Sequence, residues 1–248
     1  MYMRLVHANY KPDSLPAIKK VYDEKIIPTL QKMRGCLFAC LIRSEVNANE
    51  GISLTLWDSH ENAETYVKSG AFLSSLDEIR PYLSDSSEWK VQLTKDLKVE
   101  YQPVPEEPSV KAYHGLVDSG EMLPSGPMFL RILSLKIKTG HMEEFRKIYL
   151  EEILPVLKST EGCRYATLTT SVENKDESIS ITIWDNRAAL DAYESEGAFT
   201  RLLDKVKHTL SDLFQWKMSL EKDEKWQIMT SDDASVKYYS VLSSKGFM

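Results

Sequence analysis

The sequence predicts an α+β protein in which one small unit is written twice. Two observations predict it: a duplication at a fixed offset, and, inside each copy, a pattern that switches between strand period and helix period in the same order. Gly35-Cys36 returns as Gly162-Cys163, an offset of 162 − 35 = 127. The same shift carries Tyr22 onto Tyr149, Pro28 onto Pro155, Trp57-Asp58 onto Trp184-Asp185, and Gly70-Ala71-Phe72 onto Gly197-Ala198-Phe199. Between residues 4–93 and 131–220 roughly a third of the paired positions are identical, and no gap is needed. A period this long is domain-sized rather than a solenoid repeat.

Taken in order, Met3 to Lys11 and Phe129 to Lys138 read as strands. A helix comes next, with Ile18, Val21, Tyr22 and Ile26 at helical spacing in the first copy and Phe145, Ile148, Tyr149 and Ile153 in the second. Pro28 and Pro155 predict a break or kink, then a short helical piece ending before Gly35 and Gly162. Two strands come after it, Cys36 to Arg43 and Ile52 to Asp58, matched by Cys163 to Thr170 and Ile179 to Asp185. Ser59 and Asn186 are then placed as helix N-caps. Gly70 and Gly197 separate one short helix from a second, which runs to about Tyr82 and about Leu210. A last strand, Glu88 to Thr94 or Gln215 to Leu220, closes each unit. The order β-α-β-β-α-β is the split ferredoxin-like arrangement.

The expected division is a first unit at 1–95, a Pro-rich connector at 96–127, a second unit at 128–222 and a tail at 223–248. Pro103, Pro105, Pro108, Pro124 and Pro127 argue for an extended connector rather than a third domain. The tail contains Trp226 and the apolar run from Val236 to Leu242, which predicts docking as an added strand.

A chain of 248 residues with 42% hydrophobic and 27% charged content is an ordinary globular composition. The formal charge of −6, with bases scattered among acids, leaves no basic footprint for nucleic acid. No apolar run approaches the roughly 20 residues that span a bilayer, and the first residues lack a signal peptide's apolar core. Three cysteines, without CxxC or Cys/His ligand spacing, fit a reducing compartment and no metal. The cytoplasm is the expected location.

Certain segments resemble a known family. They are "EKIIPTL" and "EEILPVL", "RGC" and "EGC", "LTLWD" and "ITIWD", and "YVKSGAF" and "YESEGAF". Together they are similar to the antibiotic biosynthesis monooxygenase domain of the dimeric α+β barrel superfamily. The resemblance implies two four-stranded sheets pairing into a barrel, here within one chain as a pseudo-dimer. Physically, a sheet covered by helices on one face leaves its other face in need of a partner, and a tandem chain supplies one at high effective concentration. Such a chain can be monomeric or can dimerise again.

The resemblance also implies chemistry that can be checked position by position. In heme-degrading members a helix His binds iron ten residues after an aromatic residue. Tyr66 and Tyr193 hold the aromatic position, and ten residues on stand Leu76 and Leu203. His208 lies more than a turn later, and the first-strand Asn of those members falls near Val6 and Leu133. Heme degradation is therefore not expected. Quinone-forming members oxidise polycyclic phenols with O₂ and no bound cofactor. Trp57 and Trp184 match their third-strand Trp, whereas its partners are replaced by Ser53 and Ser180 and by Ala63 and Leu190.

From the residues themselves, Ser53, Thr55 and Trp57 share one strand face, as do Ser180, Thr182 and Trp184. These are candidate substrate-binding residues, with Tyr66, Tyr193, Arg4 and Arg131, the last two as anchors for a phenolate or carboxylate. His7 occurs only in the first copy and would make the two sites unequal. No residue is assigned a catalytic role. Two functions remain open: a monooxygenase acting on a small aromatic or apolar molecule without a tightly bound cofactor, and a non-catalytic small-ligand-binding or stress-associated protein.

Overall fold

A computed structural model describes residues 1–93, 99–118, 128–211 and 234–247. In chain order it contains β1 (Tyr2–Asn9), α1 (Leu15–Val21), α2 (Ile27–Gln31), β2 (Cys36–Ser44), β3 (Glu50–Trp57), α3 (His60–Lys68), α4 (Ala71–Ile79) and β4 (Asp85–Leu93). Next are β5 (Val99–Pro105), β6 (Ser109–Asp118), β7 (Phe129–Lys136), α5 (Met142–Ile148) and α6 (Leu154–Ser159). The chain ends with β8 (Cys163–Ser171), β9 (Glu177–Trp184), α7 (Arg187–Ser195), α8 (Ala198–Val206) and β10 (Ala234–Gly246). The fold is α+β, and each repeat keeps the ferredoxin-like order.

The expected kinks are π-helical turns. Tyr22–Ile26 joins α1 to α2, and Tyr149–Ile153 joins α5 to α6. The Ile27 amide donates to the Tyr22 carbonyl, as the Leu154 amide does to that of Tyr149. Pro28 and Pro155 have no N–H to give the carbonyl four residues back, and the wider turn makes room for their rings. Ser59 and Asn186 cap α3 and α7 as expected, their side chains accepting from the Asn62 and Ala189 amides. Gly70 and Gly197 sit at φ 82° and 74°, the left-handed conformation that lets the chain stop one helix and start the next within a residue.

The chain divides into two compact units, and neither is a simple block of sequence. One holds Arg4–Lys111 with Leu242–Met248; the other holds Ala112–Val241 with Met1–Met3. In the first-repeat unit β3 lies between β1 and β2, with Leu41 opposite Ser53 across β2 and β3. The end of the chain adds beside β2, where the Phe247 amide donates to the Leu37 carbonyl at 2.9 Å. In the second-repeat unit the order is β10-β7-β9-β8-β6, with Arg131 opposite Thr182 and Leu133 opposite Ser180.

Two expectations meet a different outcome, and a third is met. The connector carries two strands: β5 pairs with β4 in a two-stranded sheet, and β6 pairs with β8. Proline is compatible with this because Pro103 and Pro105 lie in a two-stranded sheet, where each strand has a free edge. The first copy's closing strand, β4, pairs with β5 instead of running along β1, which meets that segment at the bridge Tyr10↔Leu83. The tail docks as the added strand expected of it: β10 lies beside β7, Ser240 opposite Phe129 through Ala234 opposite Leu135. The expected strand Gln215 to Leu220 and Trp226 lie outside the described residues.

The core of the second unit gathers Phe145, Tyr149 and Leu157 from the helices with Leu133, Leu135 and Leu168 from the sheet. The first unit buries the matching Ile18, Tyr22, Leu30 and Leu41. Cys36 and Cys40 are buried, and the cysteines are free thiols. No described helix is long and apolar enough to cross a membrane. Among the described residues, no group of His, Cys, Asp and Glu is arranged to hold a metal ion.

Candidate functional site

Each unit has a cleft between its helices and one face of its sheet, and the two clefts are built from matching positions. In the second repeat, alternate residues of β7 (Arg131, Leu133, Leu135) and of β9 (Ser180, Thr182) face the cleft. On α8, Phe199, Leu202, Leu203 and Val206 line the other wall at i, i+3, i+4 and i+7, the spacing of one helix face. Phe145, Tyr149 and Ile153 close it from α5 and the π-helical turn. The first repeat repeats the plan with Val6 and Ala8 from β1, Ser53 from β3, and Phe72, Ser75, Leu76 and Ile79 from α4. The volumes, open mouths included, are about 420 Å³ in the second repeat and 500 Å³ in the first.

At the same place in both clefts a phenol meets a serine. Tyr149 Oη lies 2.9 Å from Ser180 Oγ, and Tyr22 Oη lies 3.1 Å from Ser53 Oγ. Burial pushes both phenols well above their ordinary pKa. They stay protonated at neutral pH and act as hydrogen-bond donors or acceptors, not as bases. Tyr66 is also raised by burial, and Tyr193 is pushed up to about 12 for the same reason.

The clefts differ at the arginine. Arg131 is 3% exposed, and its guanidinium carbon lies 4.2 Å from the centre of the Phe199 ring. Its Nε donates to Glu194 Oε1 at 2.9 Å, while Nη2 has no hydrogen-bond partner among the described residues. The Tyr238 hydroxyl, from β10, donates to both oxygens of Glu194 at 3.0 and 2.9 Å. Burial and the neighbouring Glu194 carboxylate push the Tyr238 phenol up to about 12. The counterpart of Arg131 is Arg4, stacked over Phe72 at 4.5 Å, which is not among the residues lining the first cleft. At the position of Glu194 the first repeat has Val67.

Of the residues singled out in the sequence, the structure brings Ser53 and Tyr66 to the first cleft and Arg131, Ser180, Thr182 and Tyr193 to the second. Trp57, Thr55, Arg4 and Trp184 lie behind these walls. Trp57 is fully buried, donates through Nε1 to Thr55 Oγ1 at 3.0 Å and stacks on Tyr66 at 5.3 Å. Trp184 donates likewise to Thr182 at 2.8 Å, and its ring lies tilted by 36° against Tyr193 at 5.0 Å. The two tryptophans therefore set the tyrosine walls. His7 points to the other face of β1 from Val6 and Ala8 and is not among the lining residues. Tyr22, Tyr149, Phe72 and Phe199 were not among those candidates, yet all four line clefts. The available signal was their joint recurrence, with Ser53 and Ser180, at the offset of 127.

Residues 128–205 match the model of the antibiotic biosynthesis monooxygenase family. Comparison with the curated proteins finds no match. Among solved structures, a candidate monooxygenase of Fusobacterium nucleatum superposes with a TM-score of 0.69 at 11% identity, covering 100% of this chain and 95% of that one. A candidate monooxygenase of Lactobacillus acidophilus gives 0.69 at 8% identity, over 99% and 95%. An anthrone oxidase-like protein gives 0.54 at 11%, over 99% and 92%. At these identities the likeness is one of fold. The matched residues fall in the second repeat, and the first repeat carries the same sequence pattern 127 residues upstream.

Proposed function

We propose that the protein is a monooxygenase of the antibiotic biosynthesis type, oxidising a small aromatic or apolar molecule in its clefts without a tightly bound cofactor. The observation that carries this reading is the twofold occurrence of an apolar cleft with one Tyr–Ser hydroxyl pair. Such a cleft excludes water from a flat hydrophobic body and offers a few oriented polar atoms to fix it. In the proposed reaction a substrate methylene carbon becomes a carbonyl. One atom of O₂ is kept, the other leaves as water with the two hydrogens, and the substrate supplies all the electrons. Among the described residues, neither cleft lining contains a carboxylate or an imidazole, and the buried tyrosines hold their protons. The substrate must therefore be acidic enough to ionise on its own, with the hydroxyl donors stabilising the anion's oxygen. The leucines Leu76 and Leu203 occupy the cleft positions where a heme-binding His would stand in the resemblance.

A second reading, ligand binding without turnover, is favoured by that same lack of a general base within reach of a bound phenol. One experiment separates the two. The protein is incubated with a panel of hydroxy-aromatics and anthrone-type ketones, and with heme, while absorbance and O₂ uptake are followed. Enzyme-dependent O₂ consumption with a new quinone absorbance supports the monooxygenase. Saturable binding with no O₂ uptake above the uncatalysed rate overturns it in favour of the binding protein.

A further inference from the structure

We infer that the second-repeat cleft selects ligands by a carbonyl or ionised hydroxyl oxygen seated on Arg131 Nη2, and that the first-repeat cleft does not. Arg131 lines its cleft, is 97% buried by its 3% exposure, and carries a donor with no hydrogen-bond partner among the described residues. A buried donor without a partner is costly, and native proteins keep one where something else completes it. The guanidinium is held by its neighbours. Glu194 takes Nε, and Tyr238 donates to both oxygens of Glu194. Phe199 covers the flat face at 4.2 Å. The unfilled position is therefore the Nη2 amino group of a held side chain rather than a mobile one.

The same neighbours define the ligand. Glu194 already balances the arginine's charge, so the open position does not call for a full counter-ion such as a sulfate or phosphate. A single strong acceptor on an otherwise apolar body fits, since the remaining lining is leucine, phenylalanine, isoleucine and valine with two tyrosines, a serine and a threonine. In the first repeat Val67 stands in place of Glu194, and Arg4 stacks on Phe72 outside the cleft lining. The polar atoms of that cleft are hydroxyls of Tyr10, Tyr22, Tyr66, Ser53 and Ser75. Glu194 and Tyr238 are thus positioning residues for the donor, and β10 is the element that tells the two clefts apart.

The inference rests on the clefts being small-molecule sites, and it does not require turnover. Its test uses the full-length protein and two probes of one shape, 1-indanone and indane, titrated by calorimetry and by ligand-observed NMR. The expected result is a preference for indanone of about tenfold, the range of a hydrogen bond to a charged donor. Arg131→Met should remove the preference while indane still binds, Tyr238→Phe should weaken it, and Arg4→Met should leave it intact. If Arg131→Met fails to fold because Glu194 is left buried and alone, Arg131→Met with Glu194→Val removes both charges and reads the same preference. No preference in the wild type, no binding of either probe, or a preference that survives the Arg131 variants would overturn the inference. Absent O₂ uptake with the preference intact would count against the monooxygenase reading alone.

Discussion

Arg131 and Glu194 form an ion pair at 2.9 Å with side-chain exposures of 3% and 12%. One partner lies on a central strand and the other near the end of a helix, and neither is a neighbour of the other in sequence. A buried pair of this kind is a weak source of net stability, because both ions lost their hydration to form it. Breaking it is another matter. Glu194→Ala would leave the guanidinium desolvated with Nε and Nη2 both open. We expect a loss of about 3–5 kcal/mol in the second-repeat unit, read as a lower urea midpoint. Glu194→Ala combined with Arg131→Met should recover most of that loss.

The Tyr149–Ser180 and Tyr22–Ser53 pairs predict a graded response. Tyr149→Phe strands a buried serine hydroxyl and should cost about 1–2 kcal/mol. Tyr22→Phe should cost less, since its bond is longer and only partly buried. Urea unfolding of the two variants side by side tests the order, and an equal or reversed loss would count against it.

The thiols of Cys36 and Cys40 are pushed up to about 12 by burial. The reactive species is the thiolate, so at neutral pH neither should react with iodoacetamide while the protein is folded. Mass spectrometry after brief labelling should find both unmodified in buffer and alkylated in concentrated urea.

Gly162 and Gly140 share a positive φ, 79° and 85°, but not their surroundings. A Cβ on Gly162 would meet the Ala189 Cβ at 2.5 Å, whereas one on Gly140 would meet nothing within 4 Å. Gly140→Ala should therefore cost about 1 kcal/mol from the left-handed backbone alone. Gly162→Ala should cost clearly more, because α7 must also move. Melting temperatures measured in one buffer provide the check.

At the surface, the bidentate bond from Arg164 holds the Asp185 carboxyl below the usual carboxylate range. A depressed folded pKa stabilises the protein above the unfolded value, and that contribution is lost as pH falls through the folded value. Arg164→Ala should return Asp185 toward its ordinary pKa in an NMR titration. The variant should lose stability relative to wild type at neutral pH and converge with it in acid.

The order of elements within each repeat was legible because it depends on local chemistry. Proline at 28 and 155 cannot continue the α-helical ladder, Ser59 and Asn186 cap the helices that begin just after them, and glycine at 70 and 197 takes up the left-handed turn. Part of each cleft was legible for a related reason, since period-two alternation puts Ser180 and Thr182 on one face of their strand. The tyrosines at 22 and 149 were visible but ambiguous. An aromatic residue on a helix face looks the same in a sequence whether it fills a core or lines a cavity.

By itself the sequence determined the duplication, the α+β class and the helix and strand boundaries, all set by residues a few positions apart. Tertiary structure alone decided that β10 lies along β7, that β4 pairs with β5, and that Glu194 and Tyr238 converge on Arg131 in one cleft only. These outcomes depend on backbone edges left open by one segment and filled by another, in the case of β10 and β7 about a hundred residues away. A strand edge offers the same N–H and C=O groups to every candidate partner, so its choice is settled by the packing of the whole unit.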